Sequence, residues 1–127
     1  MVLPIERSEE LSIEENTFLL EVETIIGKNI PKVDKIRWKH KFHDGKEVIR
    51  RQMGYCVRNN KIIELSLYNQ NLTNLPKAIK NLDELNNLDL GLNNFKTLSK
   101  EICGLTDLKK LDLSNNKLKS LPNEFGK

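Results

Sequence analysis

The chain has few of the residues from which catalytic and metal sites are built. Its 127 residues include two cysteines, Cys56 and Cys103, and two histidines, His40 and His43. Two cysteines do not make a disulfide framework, and these four side chains match no zinc-ligand spacing. The sequence also lacks a glycine-rich phosphate loop, a hydrolase elbow and a paired-carboxylate motif. It therefore predicts no enzyme activity, no metal and no cofactor.

Long apolar runs are lacking as well. No stretch approaches the ~18 apolar residues of a membrane-spanning helix. The N-terminus has no charged region followed by an apolar run, which a secretory signal requires. We expect from these two absences a soluble protein in the cytoplasm that has no membrane partner.

The second half of the chain repeats itself every 23 residues. The alternating leucine pairs mark the repeat, at positions 65 and 67, 88 and 90, and 111 and 113. Alternation of apolar and polar residues predicts a short strand with one buried face. A fixed period of this length is typical of stacked repeats, in which no single unit can bury its leucines alone. We expect Leu88→Ala or Leu111→Ala to cost ~2–5 kcal/mol, as buried leucines do.

The repeated positions match the pattern LxxLxLxxNxLxxLPxxIxxL, so residues 62–127 resemble the leucine-rich-repeat family. This resemblance implies an α/β fold: a short solenoid of three repeats, the last incomplete, with a parallel concave sheet. Residues 1–61 would form an N-terminal cap that contains a helix and a β-hairpin. In that family the concave face commonly binds other proteins, often in scaffold and signalling roles. The resemblance implies a protein partner, whose identity the sequence does not give.

An amide side chain follows each repeat strand, at Gln70, Asn93 and Asn116. There the backbone leaves the strand and its N–H and C=O groups still need partners. A buried amide can both donate and accept. We predict a structural role for this column, in which glutamine carries the same amide on a longer side chain. Pro76 and Pro122 open the segments that follow, since proline suits the first residue of a helical turn.

The first 30 residues carry two basic and seven acidic side chains and contain one predicted helix, over residues 12–27. Ser12 and Glu15 form a capping box, and Gly27 is placed to end the helix. The helix would cover the N-terminal end of the repeat core with an apolar face, or else dock a partner. That face consists of Phe18, Leu19, Val22, Ile25 and Ile26.

Residues 31–61 carry ten basic and three acidic side chains and read as β-structure. The region 36–58 would form a hairpin, with strands over 36–42 and 46–51 joined by Asp44-Gly45. Asn59-Asn60 predicts a second turn. We expect an extra strand before it, antiparallel to the first repeat strand, with Tyr55 and Val57 pointing inward. This strand would cover the N-terminal edge of the sheet.

The last strand, around residues 111–113, should present a free edge. Two interpretations stay open: the chain is a fragment of a longer repeat array, or it self-associates through this C-terminal edge. An open edge offers unpaired backbone groups to another strand.

The binding hypothesis places a protein partner on the concave face. Tyr68 and Leu92 are the anchor candidates, because exposed aromatic and apolar side chains dominate interfaces. Asp89 and Asp112 could act as an acid–base pair or hold a cation, although a solvated polar face is the favoured interpretation. A face of roughly 200–300 Å² should bind weakly. The predicted exposed positions are Glu64, Ser66, Tyr68, Asn69, Asn87, Asp89, Gly91, Leu92, Lys110, Asp112, Ser114 and Asn115.

The alternative function is nucleic-acid or anionic-surface binding through the basic segment 31–61. Lysine and arginine neutralise phosphates, and tryptophan can stack on bases. It is the less favoured hypothesis, because these residues can equally face solvent or the acidic helix. The predicted basic patch is Arg37, Trp38, Lys39, Lys41, Arg50, Arg51 and Arg58.

Overall fold

The computed structural model describes residues 11–36, 40–43, 46–49 and 52–121, without the side chains of residues 40–49. In these residues the chain is a small α/β protein with one α-helix and a four-stranded mixed sheet. The helix is α1 (Ile13–Ile26), and a separate two-stranded sheet comprises β1 (His40–His43) and β2 (Lys46–Ile49). The mixed sheet comprises β3 (Gly54–Arg58), β4 (Lys61–Ser66), β5 (Asn87–Asp89) and β6 (Lys110–Asp112).

The repeat strands β4, β5 and β6 pair in parallel, with Leu65, Leu88 and Leu111 side by side. The 23-residue step therefore sets the register. Strand β3 pairs antiparallel to β4, as predicted. The sheet is therefore mixed, and only β4, β5 and β6 are parallel to one another. Asn59 and Asn60, both with positive φ, form the turn between β3 and β4. The strand order is β3-β4-β5-β6.

The outer edge of β3 is covered by the segment 31–33. The Tyr55 N–H donates to the Pro31 carbonyl at 3.0 Å, and the Val33 N–H donates to the Tyr55 carbonyl at 2.9 Å. Gly54 makes this approach feasible, because a Cβ there would lie 2.9 Å from Val33 Cγ1. The prediction that β3 extends the sheet is confirmed, and β3 is itself covered in turn.

The leucine-rich core lies between the sheet and two short 3₁₀ helices, Lys77–Asn81 and Lys100–Gly104. Pro76 and Ser99 precede these helices at equivalent positions of two repeats. Ile79 and Ile102 point from them into the core. The core thins toward β6, because Leu88 and Leu90 are fully buried whereas Leu111 and Leu113 are only partly buried. Pro122 lies outside the described residues.

Helix α1 begins and ends as the sequence predicts. The Ser12 side chain accepts the Glu15 N–H at 3.2 Å, and Gly27 ends the helix in the left-handed region with φ 76°. The prediction that Ile25 joins the buried face is wrong: Ile25 is 59% exposed. The buried stripe instead runs along one side at helical spacing, through Glu15, Phe18, Leu19, Val22 and Glu23.

The two buried glutamates of α1 hold backbone groups outside the helix. Glu15 does not complete a capping box with its carboxylate; its Oε1 accepts the Ile62 N–H of β4 at 2.8 Å. Glu23 Oε2 accepts the Ile30 N–H at 2.6 Å. Because a buried backbone N–H must find a partner, the Glu15 contact attaches the helix to the start of the first repeat. The Glu23 contact holds the segment that follows the helix.

The hairpin predicted between residues 36 and 58 is confirmed in its pairing. Strand β1 pairs antiparallel to β2, with His43 opposite Lys46. Strand β1 is described from His40 onward, and Ile36, which was predicted to belong to this strand, is buried and lies outside any described strand. The predicted turn at residues 44–45 lies outside the described residues.

Candidate protein-binding surface

The predicted binding residues fall into two groups, according to whether they lie on the strands or in the turns that follow. The strand group is in register across β4, β5 and β6: position 64 lies beside 87 and 110, and position 66 beside 89 and 112. These residues alternate with the core leucines and share the opposite face, which we name the outer sheet face. The turn group comprises Tyr68, Asn69, Gly91, Leu92, Ser114 and Asn115.

The prediction that Ser66, Asp89 and Gly91 are exposed is wrong, because all three are buried. The Ser66 hydroxyl donates to Asp89 Oδ2 at 3.3 Å, and the Gly91 N–H donates to Asp89 Oδ1 at 2.9 Å. An aspartate carboxylate that accepts a hydrogen bond from a backbone N–H of the following turn lies against the backbone. Asp89 therefore fixes a turn and is not part of a solvated face.

Asp112 repeats this arrangement one strand along. Its Oδ1 accepts the Ser114 N–H at 2.9 Å and the Ser114 hydroxyl at 2.6 Å. The two aspartates are paired in register on neighbouring strands. Because each is bonded to the turn of its own repeat, their geometry favours a structural role over the acid–base pair considered from the sequence.

Glu64 and Asn87 also contact each other. The Asn87 amide donates to Glu64 Oε2, and the Ile36 N–H donates to Glu64 Oε1 at 3.4 Å. Both side chains are half-buried. This corner of the outer sheet face is therefore tied to the segment that precedes β1, while Lys110 of the same column is exposed.

The exposed side chains gather in the turns at the carboxyl ends of the strands. Asn69, Leu92 and Asn115 occupy equivalent turn positions, and all have left-handed backbone with φ of 57°, 53° and 58°. They line a shallow depression that we name the asparagine rim: Asn69, Asn71, Leu92, Asn94 and Asn115. Asn71 and Asn94 are absent from the predicted binding residues, although their 23-residue spacing indicates a shared position in the repeat.

Leu92 is the unusual member of the asparagine rim. Asparagine tolerates the left-handed region, whereas a residue with a large Cβ substituent pays ~1–2 kcal/mol there. Leu92 is also 38% exposed. Burial of the side chain alone therefore does not explain why a leucine occupies this position.

The amide column is structural, as predicted, at two of its three positions. Asn93 Nδ2 donates to the carbonyls of Leu67, Leu90 and Gly91, and its Oδ1 accepts the N–H groups of Gln70 and Leu72. Asn116 also bonds both its own turn and the turn of the preceding repeat. Its Nδ2 donates to the carbonyls of Leu113 and Leu90, and its Oδ1 accepts the Phe95 N–H at 3.1 Å.

Gln70 differs from the two asparagines. Its Nε2 donates to the Tyr68 carbonyl at 2.9 Å, within its own turn, and its buried Oε1 has no hydrogen-bond partner. The reason is topological: the neighbour of β4 on that side is antiparallel β3, so no equivalent repeat turn lies within reach of the Gln70 amide.

Most of the predicted basic patch falls where the structure is not described. Arg37, Trp38, Lys39, Arg50 and Arg51 lie outside the described residues. Lys41 is on β1 without a described side chain, and Arg58 is exposed at the end of β3. The patch thus stays a prediction from the sequence.

Cys56 is a buried thiol on β3 rather than an exposed nucleophile. Its Sγ donates to the Val33 carbonyl at 3.2 Å. Burial, and then the nearby Glu64 carboxylate, raises the pKa of Cys56 to about 11. Across residues 11–36 and 52–121, no group of three His, Cys, Asp or Glu side chains could hold a metal ion. Within the described chain, no helix has the length and apolar character needed to cross a membrane.

Residues 107–127 match the family model described as Leucine Rich Repeat. The leucine-rich-repeat resemblance is confirmed. The matched segment contains β6 and the turn that carries Asn115 and Asn116, so the structural positions of one repeat are recognisable by sequence alone. No curated protein matches the chain at a significant level. A leucine-rich repeat indicates a protein-interaction module in general terms and does not indicate which surface binds.

Proposed function

We propose that the protein is an interaction module in which a short leucine-rich-repeat solenoid binds a protein partner through the asparagine rim. Leu92 is the apolar anchor of this surface, and the half-buried Tyr68 precedes Asn69 in the first turn. The observation that carries the proposal is the exposed leucine with φ 53° between two asparagines with the same backbone conformation. An asparagine at position 92 would serve the fold better, so the leucine is best explained by a contact outside the chain.

The rest of the rim suits an uncharged polar partner surface. Amide side chains donate and accept, so they can bond to peptide groups of either polarity. The turn backbone beneath them is fixed, since the Asn69 N–H donates to the Gly91 carbonyl at 3.0 Å and the Leu92 N–H to the Ser114 carbonyl at 2.8 Å. A fixed rim loses little conformational freedom on binding.

The size of the surface sets the expected strength. A standard interface buries ~800 Å² on each partner, and a single exposed leucine with a few amides provides well under that area. We therefore expect dissociation constants in the micromolar range or weaker, which corresponds to a binding free energy no stronger than about −8 kcal/mol.

The experiment replaces Leu92 with the residue that its two equivalents carry. Leu92→Asn should keep the turn and remove the anchor, and Leu121→Asn is the matched control, because Leu121 is 51% exposed but lies outside the rim. The native chain and both variants are immobilised, and captured proteins are compared by quantitative mass spectrometry. A partner held by the native chain and the control but lost by Leu92→Asn supports the rim. Equal capture by all three proteins, or no specific capture by the native chain, refutes it.

A further inference from the structure

The chain that follows each turn of the asparagine rim forms a flank of the repeats with a regular pattern of exposed side chains. In each repeat a buried or partly buried residue, Leu72, Phe95 or Leu118, lies between two residues that alternate with it. Neighbouring turns are in contact through the backbone. The Asn94 N–H donates to the Leu72 carbonyl at 2.8 Å, and the Lys117 N–H donates in the same way to the next turn at 3.0 Å. The alternating side chains therefore form two rows across the repeats, at positions 71, 94 and 117 and at positions 73, 96 and 119.

Three lysines occupy one corner of this pattern, and we name them the lysine corner. Lys96 and Lys119 are neighbours in the second row, since the Lys119 N–H donates to the Lys96 carbonyl at 3.2 Å, and Lys117 ends the first row. All three residues are exposed, and none forms an ion pair in the described part of the chain. Like charges on adjacent backbone segments repel each other, so this arrangement does not stabilise the fold.

The lysine corner is continuous with the asparagine rim. Lys117 lines the same depression as Leu92 and Asn94. Lys96 follows Leu92 by four residues, which span at most about 14 Å even when fully extended. A partner that places an apolar side chain against Leu92 therefore brings the next residues of its own chain over the lysines.

We propose that the partner segment that binds the rim is an acidic peptide. Its apolar residue contacts Leu92, and aspartate or glutamate side chains about two to four positions away pair with the lysine corner. The uncharged amides of the rim meet the backbone of this peptide, whereas its carboxylates reach the lysines beside the rim. This inference rests on the proposed binding at the rim and names the chemistry of the partner.

The composition of the repeats favours an acidic peptide over a nucleic acid. Planar, bidentate recognition of phosphate is the role of arginine, and residues 62–127 contain no arginine. Bases stack on accessible aromatic rings, and the aromatic residue within the segment 92–121, Phe95, is buried. A carboxylate requires neither feature, because the point charge of a lysine is enough to pair with it.

The probe is a short synthetic peptide with one leucine followed by alternating serine and glutamate. One matched peptide carries glutamine in place of glutamate, and another carries alanine in place of leucine. Each peptide is titrated into the isotope-labelled full chain at about 0.05 M salt, where exposed charges are weakly screened, and amide chemical shifts are followed by NMR. The changes should cluster at residues 92–96 and 115–119. The glutamine peptide should bind about fivefold more weakly than the glutamate peptide.

Substitution of the lysines tests the other side of the contact. Lys96→Gln/Lys119→Gln should weaken binding of the glutamate peptide by about fivefold. The matched control is Lys28→Gln/Lys80→Gln, which removes the same net charge at exposed residues away from the flank and should change binding by less than about twofold. Circular dichroism of both double variants checks that each one is folded.

Four results would overturn the proposal: no shift changes up to about 2 mM peptide, changes confined to another surface such as the segment 31–61, equal binding of the glutamate and glutamine peptides, or equal weakening by the two double variants. A thymidine oligonucleotide of equal charge that binds the same residues more tightly than the glutamate peptide would also overturn it, in favour of a nucleic acid.

The alanine peptide and Leu92→Asn test the rim separately. If neither weakens binding while Lys96→Gln/Lys119→Gln does, the rim proposal fails and the contact with the lysines stands. If both weaken binding while the lysine substitutions do not, the rim proposal stands and the acidic peptide fails. The two failures are therefore distinguishable.

Discussion

Replacing Asn93 with alanine should destabilise the protein more than any other single amide substitution in the repeats. The Asn93 side chain is 4% exposed and reaches both its own turn and the turn of the preceding repeat. Alanine removes all of its hydrogen bonds at once. The backbone groups that it serves must then find other partners or stay unpaired.

The magnitude follows from which of those backbone groups have a second partner. The Leu90 carbonyl also accepts from Asn116 Nδ2, and the Gly91 carbonyl also accepts from the Asn69 N–H. The Leu67 carbonyl and the Leu72 N–H belong to buried residues and depend on Asn93 alone among the described contacts. An unsatisfied buried group costs about 1–3 kcal/mol, so Asn93→Ala should cost about 2–5 kcal/mol.

Asn116→Ala is the matched control, because the side chain is chemically the same but half-buried. Water can replace part of its hydrogen bonding, and we expect a loss of about 1 kcal/mol. Urea unfolding followed by circular dichroism gives both free energies by linear extrapolation. A loss below about 1 kcal/mol for Asn93→Ala, or equal losses for the two variants, would show that burial does not make the Asn93 amide contribute more to stability than the Asn116 amide.

Four further substitutions test other parts of the fold by the same urea assay. Gly54→Ala should destabilise by about 1–3 kcal/mol, because the new Cβ would meet the Val33 side chain at 2.9 Å. Leu88→Ala should cost ~2–5 kcal/mol and Leu111→Ala only about 1, because Leu111 is partly buried. Burial raises the pKa of Glu15, against the opposing effects of the Ile62 N–H and Lys61. The contribution of Glu15 to stability should therefore fall as the pH rises above its ordinary pKa of 4.5, and Glu15→Gln should remove this dependence.

Each of these expectations has a clear contrary outcome. An unchanged urea midpoint for Gly54→Ala would mean that the segment 31–33 adjusts without loss. Equal losses at Leu88 and Leu111 would mean that β6 is covered as fully as β5. For Glu15, a carboxyl with a raised folded pKa holds its proton more tightly in the folded state, so the sign is fixed. A contribution of this group to stability that increased as the pH rose above 4.5 would contradict the burial argument.

The sequence predicts well what depends on local pattern and on the repeat period. Ser12 and Gly27 bound α1 within one residue, and Asn59-Asn60 forms the turn that brings β3 back beside β4. The 23-residue step aligns Leu88 with Leu111 across the parallel strands. These features follow from capping, turn geometry and periodicity, each of which is encoded within a few residues or in a strict repeat.

The predictions that failed concern side chains that bond to residues distant in the sequence, or that fold back onto their own turn. Alternation correctly placed Asp89 opposite the core face, but it could not show that the carboxylate turns down to the Gly91 N–H. The capping-box pattern correctly paired Ser12 with Glu15, yet the Glu15 carboxylate bonds to Ile62, 47 residues away. Helical spacing identified the buried stripe, but the rotation of α1 against the sheet, which exposes Ile25, depends on packing.

The Glu15–Ile62 hydrogen bond also has a consequence for the architecture of the N-terminal half. It closes a long chain loop without a covalent link, and β1 and β2 lie inside that loop as a sheet of their own. Lengthening a loop whose ends are already held together adds only closure entropy, about 0.6 kcal/mol for each doubling of length. A longer chain inside this loop should therefore cost the fold little, because the repeats would fold around the same anchored ends.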